Sequence, residues 1–168
     1  MATNEFNISK FHIPLWDELP NIDLYMDQVL SYIEEYLEQC FPNDSDEKTI
    51  TKTMVNNYVK QNILESPINK KYNKLNIAKL FVICILKQVY SIGEIKKLIN
   101  YALEKTTPQK AYDNFCVILE QSLNACFKKT AFPHKKDLTE EQYLLKNVIQ
   151  AITNKMFVQI ELKEKYNI

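Results

Sequence analysis

The chain has 168 residues, 46% of them apolar and 25% charged, with 21 basic residues against 21 acidic ones. That is one domain, or one domain with an appended helical arm, with enough apolar material to bury a core, which excludes a disordered chain. Every basic residue is lysine and only one glycine occurs, Gly93; this excludes guanine reading by a planar arginine fork, and leaving few positions for positive φ it argues against a turn-rich β fold and for helices.

Residues 1–20 read as irregular, with Pro14 and Pro20 bracketing L-W-D-E-L, and Trp16 and Leu19 suited to pack on the body as a strap. Ile22, Met26, Val29, Ile33, Tyr36 and Cys40 then step by three and four, the trace of one apolar helix face. Asn21 is placed to cap that helix, and Asp23 and Asp27 suit its positive end. Glu34, Glu35 and Glu38 fall on its open side. The helix is expected to stop before Pro42, ahead of an acidic N-D-S-D-E loop. Thr51 opens a short second helix ending near Gln61–Asn62, with Met54, Val55, Tyr58 and Val59 as its inner face. Ile63 to Tyr72 holds Pro67 and paired lysines, which suits a small β-hairpin or wing.

Asn73 or Asn76 begins a third helix through Lys87, apolar on nearly every side and hence the centre of the core. Ser91 and Glu94 form a capping box for a fourth helix carrying Ile92, Ile95, Leu98, Ile99 and Leu103. Thr107 and Pro108 are a cap and first-turn proline for a fifth, about 108–129, with Tyr112, Phe115, Cys116, Leu119, Leu123, Cys126 and Phe127 inward. Pro133 and K-K-D interrupt the chain. Thr139 and Gln142 make another capping box, and the last helix spans about 140–164 with Leu145, Val148, Ile149, Ile152, Met156 and Ile160 aligned.

The zero net charge conceals a division. Residues 1–47 hold one lysine and eleven acids, net −10; residues 48–79 hold seven lysines and one acid, net +6. Residues 80–136 carry +5 and residues 137–168 carry −1. A basic block inside a neutral protein points to a local polyanion site. Within it, Lys52, Thr53, Asn56, Asn57 and Lys60 recur at steps of three or four and share one helix face. Asparagine bonds adenine at two points, threonine contacts the thymine methyl, and lysine neutralises phosphate. Tyr58 is expected to pack or to touch a phosphate through its hydroxyl, and Asn69, Lys70, Lys71 and Tyr72 to form the wing beside the duplex. The solvated-surface alternative is that these side chains reflect only an asparagine-rich, lysine-rich composition.

The pattern T-x-x-M-V-N-N-Y-V-K-x-x-I-L-x-S-P-x-x-K-K-Y, followed by S-I-G-E-I-K-K-L, resembles the DNA-binding domain of MerR-type regulators over about residues 49–100. The parts in question are Tyr58, Ile63–Leu64, Pro67, Tyr72 and Ser91–Leu98. Asn56 and Asn57 stand beside Tyr58 where that family usually carries an arginine, and a loop of about ten residues separates the first helix from the second. Over residues 16–100 the chain is similar to an uncharacterised bacterial family known only as a domain of unknown function, through W-D-E-L-P-N-I-D-L-Y-M-D-Q-V and T-K-T-M-V-N-N-Y-V-K. These resemblances imply an all-α fold with a MerR-like winged helix-turn-helix, a small β-wing and additional C-terminal helices. They imply a transcriptional regulator that binds double-stranded DNA. Residues 1–104 would be the strap and winged domain, and 105–168 a helical pair that either forms a homodimer, as in MerR-type proteins, or packs back on the core.

The four cysteines (Cys40, Cys84, Cys116, Cys126) are scattered and read as small core residues in a reducing compartment. His12 and His134 lie in separate loops without ligand spacing, so no metal and no cofactor is expected. No phosphate-binding glycine loop, H-E-x-x-H or nucleophile elbow is visible, which argues against an enzyme. The longest apolar run, Leu80 to Leu86, is too short to span a bilayer, and the N-terminus lacks a secretion signal, so the expected location is the cytoplasm. The rival reading is a protein-interaction module with a winged fold and no DNA affinity, in which the acidic first helix meets the partner.

Overall fold

Leu80, Phe81, Ile83, Cys84, Ile85 and Leu86 are all buried, so the most apolar run of the sequence does lie at the centre of the molecule. The computed structural model describes residues 7–38, 48–132 and 136–166. Their helices are α1 (Met26–Leu37), α2 (Lys52–Lys60), α3 (Lys74–Leu86), α4 (Ile92–Lys105), α5 (Pro108–Phe127) and α6 (Glu140–Tyr166). The described part is mostly helical, with one two-stranded sheet of β1 (Leu24–Tyr25) and β2 (Lys71–Tyr72).

The caps follow local chemistry. The Asn73 side chain accepts from Asn76 N–H at 3.0 Å and opens α3. Ser91 and Glu94 close a reciprocal box on α4, and Thr139 and Gln142 one on α6. Thr107 with Pro108 begins α5.

The start of α1 differs from expectation. Ile22 extends the apolar stripe in sequence but is 71% exposed, and Leu24–Tyr25 are extended because they pair antiparallel with Lys71–Tyr72. The helix therefore begins at Met26, where Gln28 accepts from Tyr25 N–H. Asn21 does not cap it; its side chain accepts from Lys74 Nζ. Glu34, expected on the open side, is half-buried and accepts from Thr49 N–H at 3.2 Å, anchoring the chain that enters α2. The expected end before Pro42, the acidic loop to Glu47, Cys40, Pro133 and His134 lie outside the described residues.

Glycine scarcity does not prevent positive φ. Asn62, Asn69, Lys70, Lys129 and Asp137 adopt it, whereas Gly93 sits inside α4. After α5, Thr130 N–H donates to Ala125 O and Lys129 N–H to Cys126 O, a Schellman closure with Lys129 at φ 54°. A Cβ in that region costs about 1–2 kcal/mol, and glycine gives part of this back as unfolded-state entropy. Lys129→Gly is therefore expected to stabilise the fold by about 0.5–1 kcal/mol, read as a higher urea midpoint; an unchanged or lower midpoint would contradict it.

α5 packs on α3 and α4, and α6 lies along α5. The two run in the same direction: Glu141 at the start of α6 is 3.6 Å from Lys105, just before α5, and Phe157 meets Phe127 at its end with ring centroids 5.1 Å apart. Buried residues form one cluster from Phe11 to Met156 that crosses position 104/105. α5 and α6 both contribute residues to that cluster.

The strap is tied to α5. Trp16 N–H donates to Asp113, Tyr112 Oη to Pro14 O, and Ile13 N–H to Glu120. His12 is held between two carboxylates, Nδ1 2.9 Å from Glu120 and Nε2 2.9 Å from Glu18. Partial burial opposes its protonation, but the bonds and charges of Glu18 and Glu120 outweigh this and hold its pKa above the ordinary 6.5. Glu18 is held below its ordinary 4.5, first by the Leu15 N–H and then, against desolvation, by His12. A raised folded-state histidine pKa adds stability that is fully present below 6.5 and is lost as pH rises through the folded value. The glutamate's share is present above 4.5 and lost as pH falls through its folded value. His12 is 47% exposed, so solvent screening keeps its share below about 1 kcal/mol. His12→Gln is expected to flatten the fall in Tm between pH 6 and pH 8; an identical slope in both proteins would contradict it.

Candidate nucleic-acid interface

α2 begins where Thr51 Oγ1 accepts from Met54 N–H, and it ends in a second Schellman closure, Ile63 N–H to Tyr58 O, with Asn62 at φ 54°. Both ends are fixed to the scaffold. Lys87, at the end of α3, donates to Thr49 O at 2.5 Å, and Lys96 on α4 donates to Gln61 O at 3.1 Å. A helix held at both ends presents its outer side chains in fixed register.

Those outer side chains are the expected ones. Lys52, Thr53, Asn56, Asn57 and Lys60 are all exposed, while Val55 and Tyr58 are buried and Met54 and Val59 half-buried. The face therefore carries three polar side chains able to read base edges between two lysines.

The segment expected to form a wing holds a two-residue turn. Ile68 N–H donates to Lys71 O at 3.0 Å and Lys71 N–H to Ile68 O at 2.9 Å, with Asn69 and Lys70 at φ 50° and 64° between them. Positive φ at both central positions is the type I′ geometry that suits the twist of a hairpin. The turn lifts Asn69 and Lys70 into solvent. Its second strand pairs not only with Ile68 but with β1, in the register Tyr25↔Lys71, and Lys71 Nζ stands 4.9 Å over the Tyr25 ring.

Two of the expected contact residues are buried. Tyr58 is only 3% exposed, and burial pushes its hydroxyl up to about 12; of the two expected roles, packing is the one its burial matches. Tyr72, 2% exposed, lies under the sheet as a core residue because alternation in β2 sends Lys71 outward and Tyr72 inward. The structure adds residues that the sequence reading did not assign. Asp27, in the first turn of α1, pairs with Lys52 Nζ at 2.7 Å. Tyr25 supports Lys71, and Lys96 secures the end of α2. No sequence signal pointed to them, since each is brought in by contacts between elements.

Burial pushes the Cys84 and Cys116 thiols up to about 12. Among the described residues no group of three or more histidine, cysteine, aspartate or glutamate side chains is placed to hold a metal ion. Nor is any described helix long and apolar enough to cross a membrane.

Residues 14–115 match the family described as Domain of unknown function (DUF1836), and the chain belongs to it. The match covers the strap from Pro14 onward, α1 to α4, the sheet and the first turns of α5. No curated protein and no solved structure matches the chain.

Proposed function

We propose that this member of the family is a DNA-binding transcriptional regulator with a MerR-like winged helix-turn-helix, in which α2 enters the major groove and the 68–71 turn lies against the flanking backbone. The observation that carries the reading is the unbroken exposed face of Lys52, Thr53, Asn56, Asn57 and Lys60 on a helix pinned at both ends. Asn56 and Asn57 supply bidentate adenine contacts, Thr53 a thymine-methyl contact, and Lys52, Lys60, Lys70 and Lys71 phosphate contacts. Two copies on a two-fold operator would set half-sites on one side of the duplex, in the cytoplasm of the cell.

The test is anisotropy of a labelled random-sequence duplex between 50 and 200 mM salt. A regulator with four phosphate-facing lysines should lose on the order of 100-fold in affinity across that range. Binding that ignores salt, or no binding at the lowest salt, would overturn the reading.

A second reading is favoured by two observations: Asp27 already pairs with Lys52, and the exposed apolar residues Ile22, Tyr25 and Ile68 all belong to the strand–turn region. In it, this region is a protein-binding surface and the lysines are its solvated rim. The same titration separates the two.

A further inference from the structure

Four helices leave a cleft of about 180 Å³ between them, lined by Ala78 and Val82 of α3, Leu98 and Ala102 of α4, Ala111 of α5 and Leu145 of α6. About 150 Å³ of apolar cavity suffices for a benzene ring, so the space fits one ring with a short substituent. The cleft is concave and open on one side, and apolar pockets between bundle helices are common small-molecule sites.

The charges at its edge are already matched. Lys105 pairs with Glu141 at 3.6 Å and also lies 5.5 Å over the Tyr101 ring. Lys79 pairs with Glu65 at 2.5 Å. A charged ligand would lose water without gaining an unpaired counter-charge, which is costly. Uncharged polar residues line the same cleft, among them Thr106 at the end of α4, Asn114 on α5 and Gln142 on α6. They offer a donor and an acceptor to a neutral polar substituent.

We infer that this cleft is a binding site for a small uncharged molecule with a single aromatic or compact apolar body and one hydroxyl or carbonyl group. Because α3 and α4 fix the ends of α2 through Lys87 and Lys96, and α5 and α6 also line the cleft, the ligand would bridge the helices that hold α2 and the C-terminal pair. Binding itself does not depend on the DNA reading, and the test contains no DNA.

The experiment is calorimetric titration of the full chain with 3-phenylpropan-1-ol, 3-phenylpropionate and 3-phenylpropylamine. The alcohol should bind saturably at one site with Kd on the order of 0.1–1 mM, as expected for a ligand of this size. The anion and the cation should each bind about tenfold more weakly. Ala102→Phe and Ala111→Phe fill the cleft and should abolish the alcohol's binding while a cooperative melt is retained. Thr106→Val, at the rim, keeps the fold testable if either filled variant does not fold, and should weaken the alcohol about threefold or more while leaving propylbenzene unaffected. No saturable binding of the alcohol, equal binding of its charged analogues, or binding unchanged in Thr106→Val would overturn the inference.

Discussion

Phe81→Ala is expected to lose about 3–5 kcal/mol of folding stability, the usual cost of removing a buried aromatic ring and leaving its cavity. Phe81 is fully buried in α3. It also receives two aromatic neighbours from α1 edge-on, Tyr32 at 6.0 Å and Tyr36 at 5.8 Å between ring centroids, and these pack against each other at 5.3 Å. Each such pair is worth about 0.5–1.5 kcal/mol beyond its area burial. The ring therefore joins α1 to the central helix as well as filling space. A domain of this kind has about 5–15 kcal/mol in total, so the variant should approach the unfolding threshold at ambient temperature. Urea unfolding followed by circular dichroism reads this directly. Tyr32→Phe, which keeps the ring, should cost less than about 1 kcal/mol, and a loss equal to that of Phe81→Ala would show that the ring contacts are not what joins the two helices.

The second large effect is electrostatic. With Lys60 and Lys70 both changed to Gln, affinity for any duplex is expected to fall about 10–100-fold at 50 mM salt, and the slope of log K against log salt to drop by about 2. Both side chains are exposed, one on α2 and one at the turn, so neither substitution touches the core. The matched control is Lys163→Gln with Lys165→Gln near the end of α6, which removes equal charge far along the chain from α2. If that control weakened binding as much, net charge and not the α2 face would govern the interaction.

Much of the helical layout was readable because it is written locally. Ser91 with Glu94, Thr107 with Pro108 and Thr139 with Gln142 satisfy orphan N–H groups within three residues, so cap and helix appear together in sequence. The exposed face of α2 was readable for the same reason: five side chains at helical spacing share a side wherever the helix lies. What failed was non-local. Ile22 continues the stripe of α1 by chance, and a strand of two residues is too short to show its own period; only its pairing with residues 71–72 reveals it. The His12 clamp joins residues 108 positions apart. Tyr58 and Tyr72 were ambiguous because tyrosine suits a core or a surface, and packing decided for the core in both. The scarcity of glycine concealed the turns, since asparagine, lysine and aspartate took the left-handed positions instead.

Whether α2 reads base sequence is decided by selecting bound fragments from a random duplex pool at moderate salt with the wild-type chain and with Asn57→Ala. Base reading by α2 should give an enriched AT-rich two-fold motif for the wild type and the loss of preference at one position per half-site for Asn57→Ala. No enriched motif, or the same motif from both proteins, would contradict it.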